Sequence, residues 1–183
     1  TLSRSSAASD VYKRQATPEL TESEVKLISS EQKEYMLRNV LNTIDQDYDY
    51  IIIDCPPSLN ILTVNALCAS SGVIIPVQCE FFALQGLSEL MTTIDTIKTN
   101  SNKGLSIKGI IRTMYDPRNN LATDVSMQLL KFFDSQVYRT IIPRNITLAE
   151  APSHGMPVIN YDKNSKGALS YLSLVGEIIK QER

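Results

Sequence analysis

The sequence lacks tryptophan and has one histidine, and its three cysteines (Cys55, Cys68 and Cys79) do not form CxxC pairs. An odd number of cysteines without this spacing argues against a disulfide framework or a zinc site, and it indicates reduced, buried thiols. No apolar run approaches the ~18 residues of a membrane span, and no charged-then-apolar signal segment opens the sequence. We therefore expect a soluble intracellular protein.

The net charge is small, at −2, which disfavours a protein that coats DNA by electrostatics alone. The charge is unevenly distributed: residues 1–15 carry +2, residues 16–97 carry −9 and residues 98–183 carry +5. This asymmetry permits a nucleic-acid-binding face on the C-terminal half, although an ordinary solvated polar surface explains it at least as well.

Residues 1–15 are rich in serine, alanine and arginine and show no periodicity, and the character of the sequence changes at Ala16. We interpret residues 1–15 as a non-native or disordered segment, with a natural disordered tail as the alternative. The remaining residues, 16–183, are expected to form a single domain, because a chain of this length can bury enough surface for one core.

From Ala16 onward, helical and strand patterns alternate. Capping-box spacing at Thr21–Glu24 and Ser29–Gln32 predicts two helix starts. Short β-branched runs predict strands at residues 51–53, 73–77, 107–113 and 137–142. Helical periodicity predicts four helices, each with apolar residues along one side: Met36, Leu37, Val40, Leu41 and Ile44; Leu87, Leu90, Met91, Ile94 and Ile97; Val125, Leu129, Phe132 and Phe133; and Leu169, Leu172, Val175, Ile178 and Ile179. This alternation predicts an α/β fold with a doubly wound, mainly parallel sheet flanked by helices.

Ligands of open α/β sheets bind beyond the carboxyl ends of the strands, where this sequence places Asp54, Gln78, Glu80 and residues 113–116 and 143–145. Asp54 directly follows the apolar run 51–53, as in a Walker B arrangement, where a carboxylate orients Mg²⁺ held mainly by phosphates and water. A turn or N-cap aspartate is the structural alternative. The rigid Cys-Pro-Pro-Ser that follows favours the metal-binding role.

A phosphate-binding loop ending in Gly-Lys-Ser/Thr is not found in the 183 residues. Gly104 and Gly109 have the glycine spacing of such a loop, but apolar residues follow and there is no lysine or hydroxyl for a phosphate or metal. We therefore interpret them as a loop glycine and a strand glycine.

The segment YDYIIIDCPPSLN, residues 48–60, closely resembles the ParA/Soj chromosome-partitioning ATPases, a P-loop family with a deviant Walker A motif. The resemblance continues through residues 64–67, 75–90, 113–116, 118–121, 141–162 and 166–172, and so covers the chain from Ala16 to its end. It implies a P-loop NTPase-like domain that dimerises with ATP between the subunits. The ATP-bound dimer is expected to bind DNA non-specifically, and a ParB-like partner on centromere-like DNA is expected to stimulate hydrolysis.

The resemblance also implies roles for individual residues. Asp54 corresponds to the Walker B aspartate, which holds Mg²⁺ through water, and Pro56 and Pro57 belong to the switch that follows it. Thr113, Met114, Pro143 and Arg144 are expected around the adenine or ribose of ATP. Gln78, Glu80 and Gly86 are expected at the dimer or nucleotide face, and Arg118 matches a DNA-binding arginine. The implied partners are a ParB-like protein, non-specific DNA and a second copy of the chain, but no membrane, and the implied location is the cytoplasm, on the nucleoid.

Three departures from the family pattern bear on activity. The lysine-bearing P-loop and the first switch are not found, and Thr147 stands where the family often has a basic residue. The spacing Thr147–Glu150 instead predicts the cap of a short helix. We therefore expect the chain to be the C-terminal part of an ATPase for chromosome or plasmid partitioning, and to be inactive without the P-loop.

Two alternative functions remain open at this point. One is a ParA-like binding module without catalysis. The other is a MinD-like membrane-associated ATPase, which the last helix disfavours because it has only Lys180 and Arg183 near its end and its apolar face is predicted to be core.

Overall fold

The computed structural model of the chain describes residues 3–4, 12–13, 15–17, 19–44, 47–56 and 58–182. The chain forms two compact units, Thr1–Ala69 and Ser70–Arg183. Within residues 1–15 two short strands, β1 (Ser3–Arg4) and β2 (Tyr12–Lys13), pair antiparallel. The non-native or disordered character of this segment stays a prediction.

The rest of the first unit is helical. Its elements are α1 (Glu19–Ile28), a 3-10 turn (Lys33–Tyr35), α2 (Met36–Leu41) and α3 (Ile61–Ala69). The buried amide of Asn65 on α3 joins them: its Nδ2 donates to the Lys33 carbonyl at 2.8 Å, and its Oδ1 accepts from the Leu37 N–H at 3.1 Å. One side chain therefore holds the 3-10 turn and α2 against α3.

Both helix starts predicted from capping-box spacing are wrong. Helix α1 begins at Glu19, so Thr21 lies inside it. Ser29 follows the end of the same helix, and its hydroxyl donates backwards to the Lys26 carbonyl at 3.0 Å. Two acidic residues in the first turn, Glu19 and Glu22, interact favourably with the positive end of the helix and account for the earlier start.

The strand predicted at residues 51–53 is not formed. These residues have irregular backbone, and Ile52 is 90% exposed. A strand needs a neighbour along at least one edge to satisfy its backbone N–H and carbonyl groups, and no described strand pairs with this run. The β-branched composition alone is therefore not enough to make residues 51–53 a strand.

The second unit contains a parallel three-stranded sheet in the order β3–β4–β5. The strands are β3 (Gly72–Gln78), β4 (Ser106–Tyr115) and β5 (Val137–Pro143). The other three predicted strands are thus confirmed. The register pairs Ile75 with Ile110 and continues to Gln78 beside Thr113 at the carboxyl end.

Helices cover both faces of this sheet. The helices of this unit are α4 (Ala83–Asn100), which joins β3 to β4, α5 (Asn120–Phe133), which precedes β5, and α6 (Ile146–Glu150), α7 (Val158–Tyr161) and α8 (Lys166–Gln181), which follow it. Adjacent residues of a strand point to opposite faces. Accordingly, Arg112 of β4 bonds to Ser126 of α5, whereas Ile111 packs with Leu174 of α8. The α/β fold with a parallel sheet flanked by helices is confirmed.

The apolar stripe predicted to be the buried face of α8 is largely exposed. Leu172 is 51% exposed, and Leu169, Val175 and Ile179 are exposed as well. A different side of α8 faces the sheet, because Leu174 packs with Ile111 of β4. Gly167 at the start of α8 is buried against α6, where a Cβ would come within 2.9 Å of the Leu148 Cδ1. No helix among the described residues is long and apolar enough to cross a bilayer.

Candidate functional site

The carboxyl ends of the strands bring several of the predicted site residues of the second unit to one edge of the sheet. Gln78 at the end of β3 lies beside Thr113 of β4 in the register. Tyr115 of β4 lies beside Pro143 of β5. The parallel arrangement produces this juxtaposition, because parallel strands end at the same edge.

The end of β4 carries a strained residue. Met114 is exposed and has φ 49°, in the left-handed region that a non-glycine side chain seldom adopts. The Arg144 N–H donates to the Tyr115 carbonyl at 2.9 Å, and the Tyr115 hydroxyl lies 3.3 Å from Thr123 Oγ1 of α5. Directly after Met114, the end of β4 is therefore tied through Tyr115 to the residue that follows β5 and to α5. Such strain persists only where the surroundings hold it, and it is concentrated at functional sites.

Beyond β5, Arg144 is exposed and Asn145 starts the next helix. The Asn145 side chain accepts a hydrogen bond from the Leu148 N–H at 3.3 Å and is the N-cap of α6. The short helix is confirmed, but its predicted cap is wrong, because Thr147 lies inside α6. Asparagine and threonine are both favourable N-cap residues, so the spacing between Thr147 and Glu150 could not show whether Asn145 or Thr147 is the N-cap.

The loop between β4 and α5 carries an exposed ion pair. Arg118 donates through Nε to Asp116 Oδ1 at 2.9 Å and through Nη2 to Asp116 Oδ2 at 2.7 Å. The Arg118 N–H also donates to Asp116 Oδ1, at 3.0 Å. These hydrogen bonds, those of the side chain first, lower the pKa of Asp116 to about 2, and the charge of Arg144 contributes in the same direction. The family resemblance identified Arg118 as a candidate, but the sequence did not reveal its pairing with Asp116.

After β3, the chain presents Gln78, Glu80 and two phenylalanines to solvent. Phe81 and Phe82 are both exposed, and their rings meet edge to face with centroids 5.0 Å apart. Gly86 follows in the first turns of α4, and a Cβ there would meet nothing within 4 Å. The exposed aromatic pair was not predicted from the sequence. The signal that could have revealed it is two successive phenylalanines before an amphipathic helix that buries other residues.

Asp54 belongs to the first unit, where it is exposed in an irregular segment. No hydrogen bond or ion pair joins its carboxylate to any other described residue. Carboxylate oxygens are the hard ligands that Mg²⁺ prefers, and Mg²⁺ keeps several waters, so one free carboxylate fits this ion. Among the described residues no group of three or more His, Cys, Asp or Glu side chains could hold a metal. Pro56 is exposed, and Pro57 lies outside the described residues.

The cysteines are free, as predicted, but not all are buried. Cys68 and Cys79 are buried, whereas Cys55, next to Asp54, is exposed. Partial desolvation and then the charge of Asp54 raise the pKa of the Cys55 thiol. A raised pKa leaves this thiol largely protonated and a weak nucleophile near neutral pH.

A buried arginine under the strand ends was not identified from the sequence. Arg112 is 5% exposed, and its guanidinium donates to Ser126 Oγ at 3.0 Å and to the Tyr138 and Arg139 carbonyls at 2.9 and 3.2 Å. Burial lowers its pKa, and its Nε has no hydrogen-bond partner in the described part of the chain. These bonds join β4 to α5 and β5 beneath the candidate site.

Comparisons with known proteins support the family resemblance that the sequence motifs indicated. A family model described as an AAA domain matches residues 4–107, more than half of the chain. The chain is 49% identical over 91% of its length to the chromosome partitioning protein ParA of Myxococcus xanthus, of which it spans 59%. It is 43% identical over 98% of its length to the chromosome-partitioning ATPase Soj of Treponema pallidum, of which it spans 71%. It spans 64% of a 56%-identical, uncharacterized protein of Pseudomonas putida, so it is shorter than the relatives it matches.

Solved structures share the fold. Cobyrinic acid a,c-diamide synthase from Mycobacterium smegmatis, crystallised with ADP and magnesium, is 30% identical with a TM-score of 0.81, over 99% of this chain and 66% of that one. The cell division ATPase MinD of Pyrococcus furiosus is 23% identical with a TM-score of 0.63, over 80% of this chain and 58% of that one, which shows the shared fold. The family model and the relatives together show that the chain belongs to the ParA/Soj family of chromosome-partitioning ATPases.

Proposed function

We propose that this chain is the C-terminal part of an ATPase that partitions chromosomes or plasmids. The observation that carries the proposal is the edge of the sheet where Thr113, Met114, Pro143 and Arg144 come together around the bond from Arg144 to Tyr115. In open α/β sheets this edge is the place where nucleotides bind. The family membership of the chain supports ATP as the nucleotide.

Within this proposal, Thr113, Met114, Pro143 and Arg144 surround the adenine or ribose. Their backbone is held in place by neighbouring strands, so the site needs little reorganisation when ATP binds. Asp54 orients Mg²⁺ through water, and the segment with Pro56 and Pro57 responds to the phosphates as a switch. Bound Mg²⁺ neutralises charge on the terminal phosphates.

The phosphate-binding loop is not among the 183 residues, so the proposed ATP hydrolysis is that of an intact protein that carries such a loop. The chain of 183 residues is expected to hydrolyse no ATP, because the loop and its lysine supply much of the electrostatic stabilisation of phosphoryl transfer. Turnover by the purified chain above the background of a buffer blank would contradict this expectation.

The proposed assembly is a dimer formed with ATP. Gln78, Glu80 and Gly86 are its expected dimer or nucleotide face, and the exposed rings of Phe81 and Phe82 support burial of this surface in a complex. Arg118 is the proposed contact to DNA phosphates, because it is permanently charged and almost fully exposed. A ParB-like protein is the proposed partner, and the nucleoid in the cytoplasm is the proposed location.

The metal role is tested by Asp54→Ala in an intact protein that carries the phosphate-binding loop. Mg²⁺-dependent ATP hydrolysis should fall about 10–100-fold, as it does when groups that orient a metal are removed. Asp49→Ala is the matched control, because Asp49 is an exposed acidic residue in the same irregular segment. Unchanged hydrolysis in Asp54→Ala, or an equal fall in both variants, would refute the role of Asp54.

A MinD-like association with membranes is the second candidate, and the exposed apolar flank of α8 is the observation in its favour. Leu169, Leu172, Val175 and Ile179 form this flank, and a helix with one apolar and one polar face can lie in a membrane interface. Co-sedimentation with vesicles that contain anionic lipids distinguishes the candidates. Binding that is lost in Leu172→Lys would favour the MinD-like role, and absence of binding would favour partitioning on DNA.

A further inference from the structure

In the Asp116–Arg118 ion pair, the carboxylate occupies the edge of the guanidinium that a phosphate would bind. Arg118 presents its Nε and Nη2 to the two carboxylate oxygens of Asp116, at 2.9 and 2.7 Å. Phosphates bind arginine through the same bidentate geometry. The Arg118 side chain is 88% exposed and that of Asp116 26%, so the guanidinium stands on the surface with this carboxylate as its ion-pair partner.

We propose that Asp116 is a positioning residue that holds Arg118 in this ion pair and so restrains its binding to DNA phosphates. This inference rests on the proposed role of Arg118 in DNA binding. A phosphate must either displace the carboxylate from the Nε–Nη2 edge or bind at Nη1 beside a negative charge. Both routes make the contact weaker than that of an unpaired arginine.

The surroundings of the pair favour release of Arg118 by a phosphate that displaces the Asp116 carboxylate, rather than by protonation of that carboxylate. Asp116 stays ionised at neutral pH because of its bonds to Arg118 and the nearby charge of Arg144. An exposed ion pair is weak, so a phosphate can compete for Arg118. Helix α5 begins at Asn120, two residues after Arg118, and the positive end of this helix favours an anion at the same place.

The variant Asp116→Asn removes the ion pair without changing the conformation of the loop. The asparagine oxygen can still accept the Arg118 N–H, so the turn keeps its backbone hydrogen bond. The negative charge and the strong bidentate pairing are lost. Asp124→Asn is the matched control, because Asp124 is an exposed acidic residue of α5 without an ion pair to any described residue.

The experiment measures binding of a random-sequence DNA duplex by fluorescence anisotropy, with the intact protein and a non-hydrolysable ATP analogue, over a series of salt concentrations. Asp116→Asn is expected to bind about two- to fivefold more tightly than the unmodified protein, the range that an exposed ion pair allows. The slope of log affinity against log salt should become steeper by up to about 0.9, as for one additional phosphate contact. Asp124→Asn should change neither quantity.

Combining the variants distinguishes the possible outcomes. With Arg118→Ala in the same chain, Asp116→Asn should no longer tighten binding, because there is no arginine to release. Equal tightening with and without Arg118 would mean general charge repulsion and would overturn the inference, as would weaker binding by Asp116→Asn alone. If Arg118→Ala by itself leaves affinity unchanged, the proposed DNA contact fails and the inference fails with it. If only Asp116→Asn is without effect, the DNA contact stands and the inference alone fails.

Discussion

Replacing Gly109 of β4 with alanine should bring a methyl group into steric overlap with the aromatic ring of Tyr138. A Cβ built on Gly109 lies 2.6 Å from Tyr138 Cζ and 2.8 Å from Tyr138 Cδ2. Carbon atoms in contact are normally 3.5–4.0 Å apart, so about 1 Å of movement is required. Tyr138 is only 1% exposed and packs in one cluster with Ile111, Ile142 and Leu174. The ring can move away from Gly109 only by giving up contacts in this cluster.

The expected loss is about 3 kcal/mol of the free energy of unfolding, at the upper end of the range for an overpacked core. For a chain of this size, 1 kcal/mol corresponds to about 2–4 °C in Tm, so Tm should fall by roughly 6–12 °C. Gly176→Ala is the matched control, because a Cβ on Gly176 in α8 meets nothing within 4 Å. That variant should gain up to about 1 kcal/mol from the higher helix propensity of alanine.

Urea unfolding followed by circular dichroism measures both changes. The two glycine-to-alanine substitutions should move the midpoint in opposite directions. In a double-mutant cycle with Tyr138→Leu, which removes the ring, Gly109→Ala should cost at least about 1 kcal/mol less than it does alone. The reasoning fails if Gly109→Ala leaves the midpoint unchanged, or if the cost is the same with and without the ring.

The remaining predictions concern Arg112 and Glu177, two side chains that form hydrogen bonds to the backbone of β5. Arg112→Met should lower the free energy of unfolding by about 2 kcal/mol, because Ser126 Oγ and the Tyr138 carbonyl lose their donor, and an unchanged urea midpoint would contradict this. Burial raises the pKa of Glu177, but hydrogen bonds from the Thr140 and Arg139 N–H groups outweigh it, so the pKa lies below its ordinary value. The ionised Glu177 therefore stabilises the fold above its ordinary pKa of about 4.3, and this stabilisation is lost as the pH falls through the lowered pKa. Glu177→Gln should cost about 1 kcal/mol at pH 7 and little once the pH has fallen through the lowered pKa of Glu177, and a cost independent of pH would refute this.

The local pattern of residues was sufficient to predict three of the four strands and the helices between them. Strands β3, β4 and β5 contain β-branched runs, and α4 and α5 have apolar residues at helical spacing. Each of these signals lies within a few residues of the element it describes. The family resemblance is local in the same sense, because its motifs are short segments that follow individual strands.

The neighbours of each element were decided only by the tertiary structure. The run at residues 51–53 resembles a strand, but no described strand pairs with it. The stripe with Leu172 resembles a core face, but α8 packs on the sheet through Leu174, and the Glu177 carboxylate accepts hydrogen bonds from the backbone of β5. These outcomes depend on partners far away in the sequence.

The same division applies to the candidate site. Asp54 and Arg144 were identified as candidates because each follows a predicted strand, and Arg118 was identified from the family resemblance. The pairing of Arg118 with Asp116 and the left-handed Met114 are visible only in three dimensions. Residue type and spacing determine which chemical groups are available at a strand end. Hydrogen bonds and backbone conformation in the folded chain determine which of those groups are free to bind a ligand.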